Sequence, residues 1–487
     1  MSIFDVTERS IEELQAAQQC GLISARRLTL AYMARIRAID QRGPCINAVV
    51  RINPHALRQA DALDMERRGG SVRGLLHGIP VLVKDNFETI DMPTSGGSAV
   101  LRNFHPENDA FQIRRLREAG AIILGKTTMH ELAVGVTNAS SLSGYTRNPY
   151  VLGRVPGGSS GGTGAAIAAS FAAAGMGTDT AGSIRIPAAN QSLIGLRASA
   201  GLSSRSGIIP LSSTQDMAGP MARCVTDLAI MLDATVGADP EDSSTLHAAQ
   251  HIPLSYRNGL RTDAIQGTTI GVLNNLFEME VEDSEVALLI RRMLRIFANH
   301  GAELQEMHLP GLEAMVQESN VIRHEFKFDF AAYLRRHPQA PVQSLEQLIQ
   351  KNLHHDEVDE VLKDRNTPLV QHNAEYKSAL SARNRLRSFL QDEMCRNGID
   401  VLAYPVMRRK AVLIGKPQTG VNAQLSSGTG LPAISIPGGY TEDGVPIGIE
   451  FLGKSFTEQQ LLNLAYSWEK IMPIRRRPAY FPYVLPL

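Results

Sequence analysis

Apolar residues along this 487-residue chain fall into two patterns. Short unbroken runs occupy 80–83 (PVLV), 121–124 (AIIL), 269–272 (TIGV), 401–404 (VLAY), 433–436 (AISI) and 447–452 (IGIEFL). They are too short for helices and lack polar alternation, so they predict strands buried on both faces. Between them, 283–299 and 457–470 place apolar residues three and four apart, the spacing of helices with one buried stripe. Strand and helix alternating over the whole length predict an α/β fold layered on a mostly parallel or mixed sheet. No Pro/Ser-rich linker divides the chain, so 1–487 is expected to form one domain. The most polar stretch, about 305–378, is read as a peripheral helical layer, in which Phe326, Phe330 and Tyr333 share one face that serves packing.

Charge narrows the function classes. Forty-nine basic residues balance forty-nine acidic ones, so no basic field spans the surface, and neither nucleic acid nor an anionic membrane is expected as a partner. The clusters Arg408-Arg409-Lys410 and Arg475-Arg476-Arg477 are local and are read as solvated faces or ion-pair donors. Cys20, Cys45, Cys224 and Cys395 are far apart and form no CxxC pair, which argues against a zinc site or a disulfide framework. The N-terminal MSIFDVTERSIEELQ is charged where a signal peptide needs an apolar core, and no run of about 18 apolar residues occurs. A soluble, cytoplasmic protein is expected.

Three motifs compete for the chemistry. GAIILGKT, residues 120–127, fits GxxxxGK[ST], but a phosphate loop needs its variable residues to arch around an anion between strand and helix. Here they are an apolar β-prone run after the helical FQIRRLREAG, so Lys126 merely follows a strand; a nucleotide-binding protein is the distant alternative. Residues 157–161, GGSSG, fit the nucleophile elbow GxSxG, yet NPYVLGRVP before them is broken by prolines and a glycine where that elbow requires a strand. The third reading joins RVPGGSSGGTG to GTDTAGSIRIPAA at 177–189. TGAAIAASFAAAGMG between them reads as a helix returning to a strand, which brings both serine turns to one end of the sheet. Lys84 ends the apolar strand in HGIPVLVKDNF; taken alone it reads as a surface lysine at a strand end, whereas burial there would lower its amine's pKa and let it accept a proton. A serine hydroxyl needs a base to become a nucleophile, and no histidine stands in either turn. His354-His355-Asp356 is read as a solvated helical face, since consecutive helical residues point apart, and no metal site is expected.

Together, GIPVLVKDN, EAGAIILGKTTMHELA, NPYVLGRVPGGSSGG, GTDTAGSIRIPAA and SGIIPLSSTQDMAGPMARCVTDLA resemble the amidase signature family, closely over about 78–232 and more weakly in GLPAISIPGGY and GVPIGIEFLG. The resemblance implies a single α/β/α domain with a large central mixed β-sheet flanked by helices, and a Ser-cisSer-Lys triad. Ser183 is then the nucleophile. Ser159, 24 residues earlier, is the bridging serine after a cis peptide at Gly158, and Lys84 is the base. Ser160 and Arg185 support the site, and the backbone N–H groups of Thr180, Ala181, Gly182 and Ser183 face the oxyanion. One such donor commonly contributes roughly 2.7–4 kcal/mol to the transition state.

Ala181 stands where most relatives have glycine, and NQSLIGLRAS at 190–199 departs from the family's usual CGxxGxKPT; neither touches the triad. The SSTQDMAGPMAR segment is similar to the stand-alone peptide-amidase-like branch. The implied activity is hydrolysis of a small-molecule or C-terminal amide, with anilides and carbamates also considered, without a cofactor. The partner is then the small-molecule amide alone, with a homodimer considered. The alternative is the A subunit of a glutamine-dependent aminoacyl-tRNA amidotransferase, in which a partner supplies the tRNA.

Overall fold

The computed structural model describes residues 4–277 and 279–479. Its strands are β1 (Val49–Ile52), β2 (Pro80–Lys84), β3 (Ile122–Thr127), β4 (Ala139–Ser140), β5 (Gly144–Tyr145), β6 (Ala174–Asp179), β7 (Ile194–Arg197), β8 (Met217–Ala222), β9 (Thr269–Leu273), β10 (Glu303–Met307), β11 (Val401–Pro405), β12 (Ala433–Tyr440) and β13 (Pro446–Leu452). Eleven form one sheet in the order β1-β3-β2-β6-β8-β7-β12-β13-β11-β9-β10, and β4 and β5 make a separate hairpin. The sheet is mixed. β3, β2 and β6 run parallel, β6, β8, β7, β12, β13 and β11 alternate antiparallel, and β11, β9 and β10 are again parallel. Helices flank it, in agreement with the α/β/α layering that the sequence implies.

Five of the six apolar runs lie within these strands and the sixth, 121–124, enters β3 at Ile122; every residue of β2, β3, β11 and β13 is buried. A continuous apolar run is what a strand covered on both sides requires. The two amphipathic stretches are helices Ser284–Asn299 and Glu458–Ile471. Phe297 of the first stacks on Trp468 of the second, with ring centroids 4.3 Å apart. Burying a side chain of that size contributes roughly 1.5–3 kcal/mol.

The stretch read as a peripheral helical layer holds helices Leu312–Glu318, Ile322–Arg335, Leu345–Gln350 and Asp359–Arg365. Its first residues belong instead to the edge strand β10, whose sequence ELQEM is half solvated and hides the strand from an apolar-run search. Phe326, Phe330 and Tyr333 are buried in a core of their own with Leu101, Phe104, Met129, Leu132 and Ile209. That core fastens the helical layer to the loops at 99–104, 129–134 and 208–211. The basic clusters act as ion-pair donors. Arg408 and Arg409 both reach Asp283, and Arg475 reaches Glu8.

Candidate active site

Three parallel strands, β3, β2 and β6, end together, and the carboxyl edge of such a set is where α/β sheets hold ligands. Lys84 is the last residue of β2, paired with Thr127 of β3, and Val83 pairs with Met176 of β6. The glycine-rich stretch enters helix Gly161–Ala168 directly after Ser159 and Ser160, and the peptide between Gly158 and Ser159 is cis. Two glycines there are required by close approach. A Cβ at Gly158 would lie 2.9 Å from the Val136 carbonyl carbon, and one at Gly177 would lie 2.8 Å from Ser160 Oγ. The helix carrying the serines can therefore press onto β6.

Lys84 Nζ hydrogen-bonds to Ser159 Oγ at 2.7 Å and to Thr178 Oγ1 at 2.7 Å. Asn86 Nδ2 donates to the same threonine oxygen at 3.0 Å. Lys84, Ser159 and Ser160 are wholly buried, whereas Ser183 is 5% exposed. Burial pushes the Lys84 amine down to about 7, against the attraction of Asp216 and Asp179, so a large share of it is neutral near neutral pH. Ser160 N–H donates to the Ser183 carbonyl at 3.2 Å, and Ser160 Oγ donates to Thr178 O at 3.1 Å. Those bonds tie the two serine turns together.

The turn 180–183 hangs on one carboxylate. Asp179 accepts Gly182 N–H at 2.7 Å and Ile184 N–H at 3.1 Å. Arg185 grips both its oxygens, at 3.0 and 3.1 Å, and Arg197 approaches at 3.3 Å. All three side chains are buried. Burial by itself would raise the Asp179 carboxyl, but Arg185 and Arg197 hold it well below the usual carboxylate range. Arg185 is held in turn by Glu450, which also accepts the Tyr404 hydroxyl at 2.7 Å.

The expected set of four oxyanion donors is altered by this arrangement. Gly182 N–H is taken by Asp179, because a buried carboxylate must be satisfied. The N–H groups of Thr180, Ala181 and Ser183 have no acceptor among the described residues. Since buried N–H groups are rarely left unpaired, these three are the ones available to a ligand. Asp179→Asn leaves two buried guanidinium groups facing a neutral amide and is expected to cost about 3–5 kcal/mol of stability, read as a shift in the denaturation midpoint.

Lys126 lies within β3, fully buried, 3.3 Å from Asp85 and donating to Phe87 O at 2.7 Å, so the GxxxxGK[ST] pattern is a strand and no anion cradle. Among the described residues no strand runs directly into Ser159, which removes the nucleophile-elbow geometry. The reading of His354-His355-Asp356 as a solvated helical face is corrected. The His354 side chain is 3% exposed and bonds to Asp359 at 2.9 Å, and His355 N–H donates to Glu131 at 3.0 Å, because this segment clasps the loop beside the site. Among the described residues no group of three or more His, Cys, Asp or Glu is placed to hold a metal ion, and no helix is long and apolar enough to cross a membrane.

Sequence reasoning passed over Thr178, Asp179, Asn86, Arg197 and Glu450. Thr178 and Asp179 stand inside the quoted GTDTAGS and were legible as polar residues at the end of a strand. Glu450 was a lone carboxylate in the apolar run IGIEFL, the one sign that a buried cation awaited it.

A family model described as Amidase matches residues 27–462. A probable amidase of Arabidopsis thaliana is 33% identical over 98% of this chain and 93% of its own length. The A subunit of the glutamyl-tRNA(Gln) amidotransferase of Halorhodospira halophila is 35% identical over 95% of this chain and 97% of its own. Among solved structures, native peptide amidase from Stenotrophomonas maltophilia superposes with a TM-score of 0.89 at 34% identity, covering 97% of this chain and 99% of its own. That neighbour supports the peptide-amidase-like branch. With a family match over most of its length and full-length relatives above 30% identity, this chain belongs to the amidase signature family and is an amidase, acting on amide C–N bonds.

Proposed function

We propose that this chain hydrolyses small-molecule or C-terminal amides by itself, through an acyl-enzyme on Ser183, on one domain whose signature core spans about 78–232. The observation that carries the reading is the 2.7 Å bond between a fully buried lysine amine and Ser159 Oγ. A neutral Lys84 accepts the Ser159 proton while Ser159 takes that of Ser183, and Ser183 Oγ attacks the amide carbonyl. The oxyanion meets the N–H groups of Thr180, Ala181 and Ser183. As the C–N bond breaks, the leaving nitrogen takes a proton back through Ser159, and water then cleaves the ester by the same relay in reverse.

A second reading is favoured by the amidotransferase A subunits, which match over nearly their full length. The test is the purified chain alone with a panel of primary amides, anilides and carbamates. Ammonia or amine release without added chains is expected. A chain inactive alone but active on glutamine once partner chains are added would establish the transamidating reading instead.

A further inference from the structure

A cavity of about 220 Å³ opens behind the end of β6, and Thr178, the threonine bonded to Lys84 Nζ, forms part of its wall. Its other walls come from the loop at 205–216, the start of β8, the turn at 241–242 and helix Ile322–Arg335 with Arg336 beyond it. The charge on this wall is unbalanced. Arg205 is spent on Asp242, at 2.5 and 2.8 Å. Among the described residues of the lining, Asp216, Glu241 and Asp329 then face a single remaining cation, Arg336.

Among the described residues, the hydrogen bonds of Asp216 come only from neutral groups: the Thr180 hydroxyl at 2.5 Å and the N–H groups of Leu211 and Ser212 at 2.8 and 3.0 Å. Asp329 accepts only Ser213 N–H, at 2.6 Å. Burial raises both carboxyls, Asp329 to about 6, with Glu325 and Asp216 adding repulsion at Asp329. Tyr333, 1% exposed, also lines the cavity, and its hydroxyl lies close to Glu88. On this wall carboxylates outnumber cations, and a ligand with N–H donors and positive charge offsets the excess.

We propose that this cavity receives the leaving side of the substrate and selects amides whose departing amine carries a second, cationic group, of the alkylammonium class. The placement beside Lys84 supports the leaving side, because the proton that the departing nitrogen needs comes from that amine through Ser159. The space of about 220 Å³ has room for a short alkylamine chain. The proposal rests on the hydrolytic reading above and adds its substrate class.

The test uses three amides sharing an acyl group that the enzyme accepts: the primary amide, the N-(4-aminobutyl) amide and its uncharged N-pentyl isostere, assayed at pH 8, where Asp329 is ionised. The wild-type protein is expected to favour the aminobutyl over the pentyl compound by about tenfold in kcat/KM. Asp329→Asn is expected to bring that preference to within about twofold. Ala332→Trp, which fills the cavity from an exposed helical position, is expected to slow both N-alkyl amides relative to the primary amide. Free 1,4-diaminobutane should inhibit primary-amide turnover, and Asp329→Asn should weaken that inhibition. A preference for the pentyl compound, an unchanged ratio in Asp329→Asn, or diaminobutane bound without inhibition overturns the proposal. Ammonia release from the primary amide stands as a separate readout, so its loss marks the failure of the hydrolytic reading and not of the cavity.

Discussion

Ser183→Ala is expected to lower kcat on any accepted amide by at least about 10⁴-fold and to abolish covalent labelling by a fluorophosphonate. Fold and melting midpoint should stay close to the wild type, because the Ser183 hydroxyl makes no hydrogen bond among the described residues and the turn is held by Asp179. The parallel variant Ser160→Ala separates nucleophile from support. Its hydroxyl bonds to Thr178 O, so it should still be labelled, with only a partial loss of rate. Labelling that persists in Ser183→Ala would move the nucleophile elsewhere and remove the acyl-enzyme at this position.

Lys84→Met is expected to be as damaging to turnover and to act oppositely on stability. The relay needs the neutral amine, so kcat/KM of the wild type should rise with pH through an inflection near 7, the value to which burial brings Lys84, and level off above it. The variant should lose that limb together with nearly all activity.

For stability, the folded-state pKa lies below the ordinary 10.5. Between about 7 and 10.5 the unfolded chain therefore binds the extra proton, and stability from this group rises with pH. Below about 7 the full cost of burying a charge is present. Methionine removes that cost, so the melting midpoint of Lys84→Met near neutral pH should exceed the wild type's. An activity profile flat from pH 6 to 9, or a variant that retains turnover, would exclude Lys84 as the base.

The elements that could be read without coordinates are those whose own side chains demand burial. PVLV, AIIL, VLAY and IGIEFL are rich in branched apolar residues and find cover on both sides of a sheet wherever they lie. β8, Met217–Ala222 (MAGPMA), is different. It carries two alanines, a glycine and a proline, residues that seldom favour strands, and it is a central strand because β6 and β7 stand on either side of it. β6, Ala174–Asp179 (AGMGTD), was visible only as the return of a helix. Its glycines exist for Ser160 and Thr163, whose atoms would meet any Cβ there.

The site divides along the same line. Lys84, Ser159 and Ser183 are chemically conspicuous, being a lysine at the end of an apolar strand and serines in glycine turns, and motif order was enough to name them as candidates. The carboxylate clamp was not legible, because Asp179 draws on Arg197, 18 residues away, and through Arg185 on Glu450, 265 residues beyond it. The diversion of Gly182 N–H from the oxyanion set follows from that clamp. Composition and periodicity alone determined that the chain builds a buried sheet with amphipathic helices, since burial preference is a property of each segment. Packing decided which donors are free, which lysine amine burial brings down to about 7 and where carboxylates gather, since each depends on groups that only folding brings within a few ångströms.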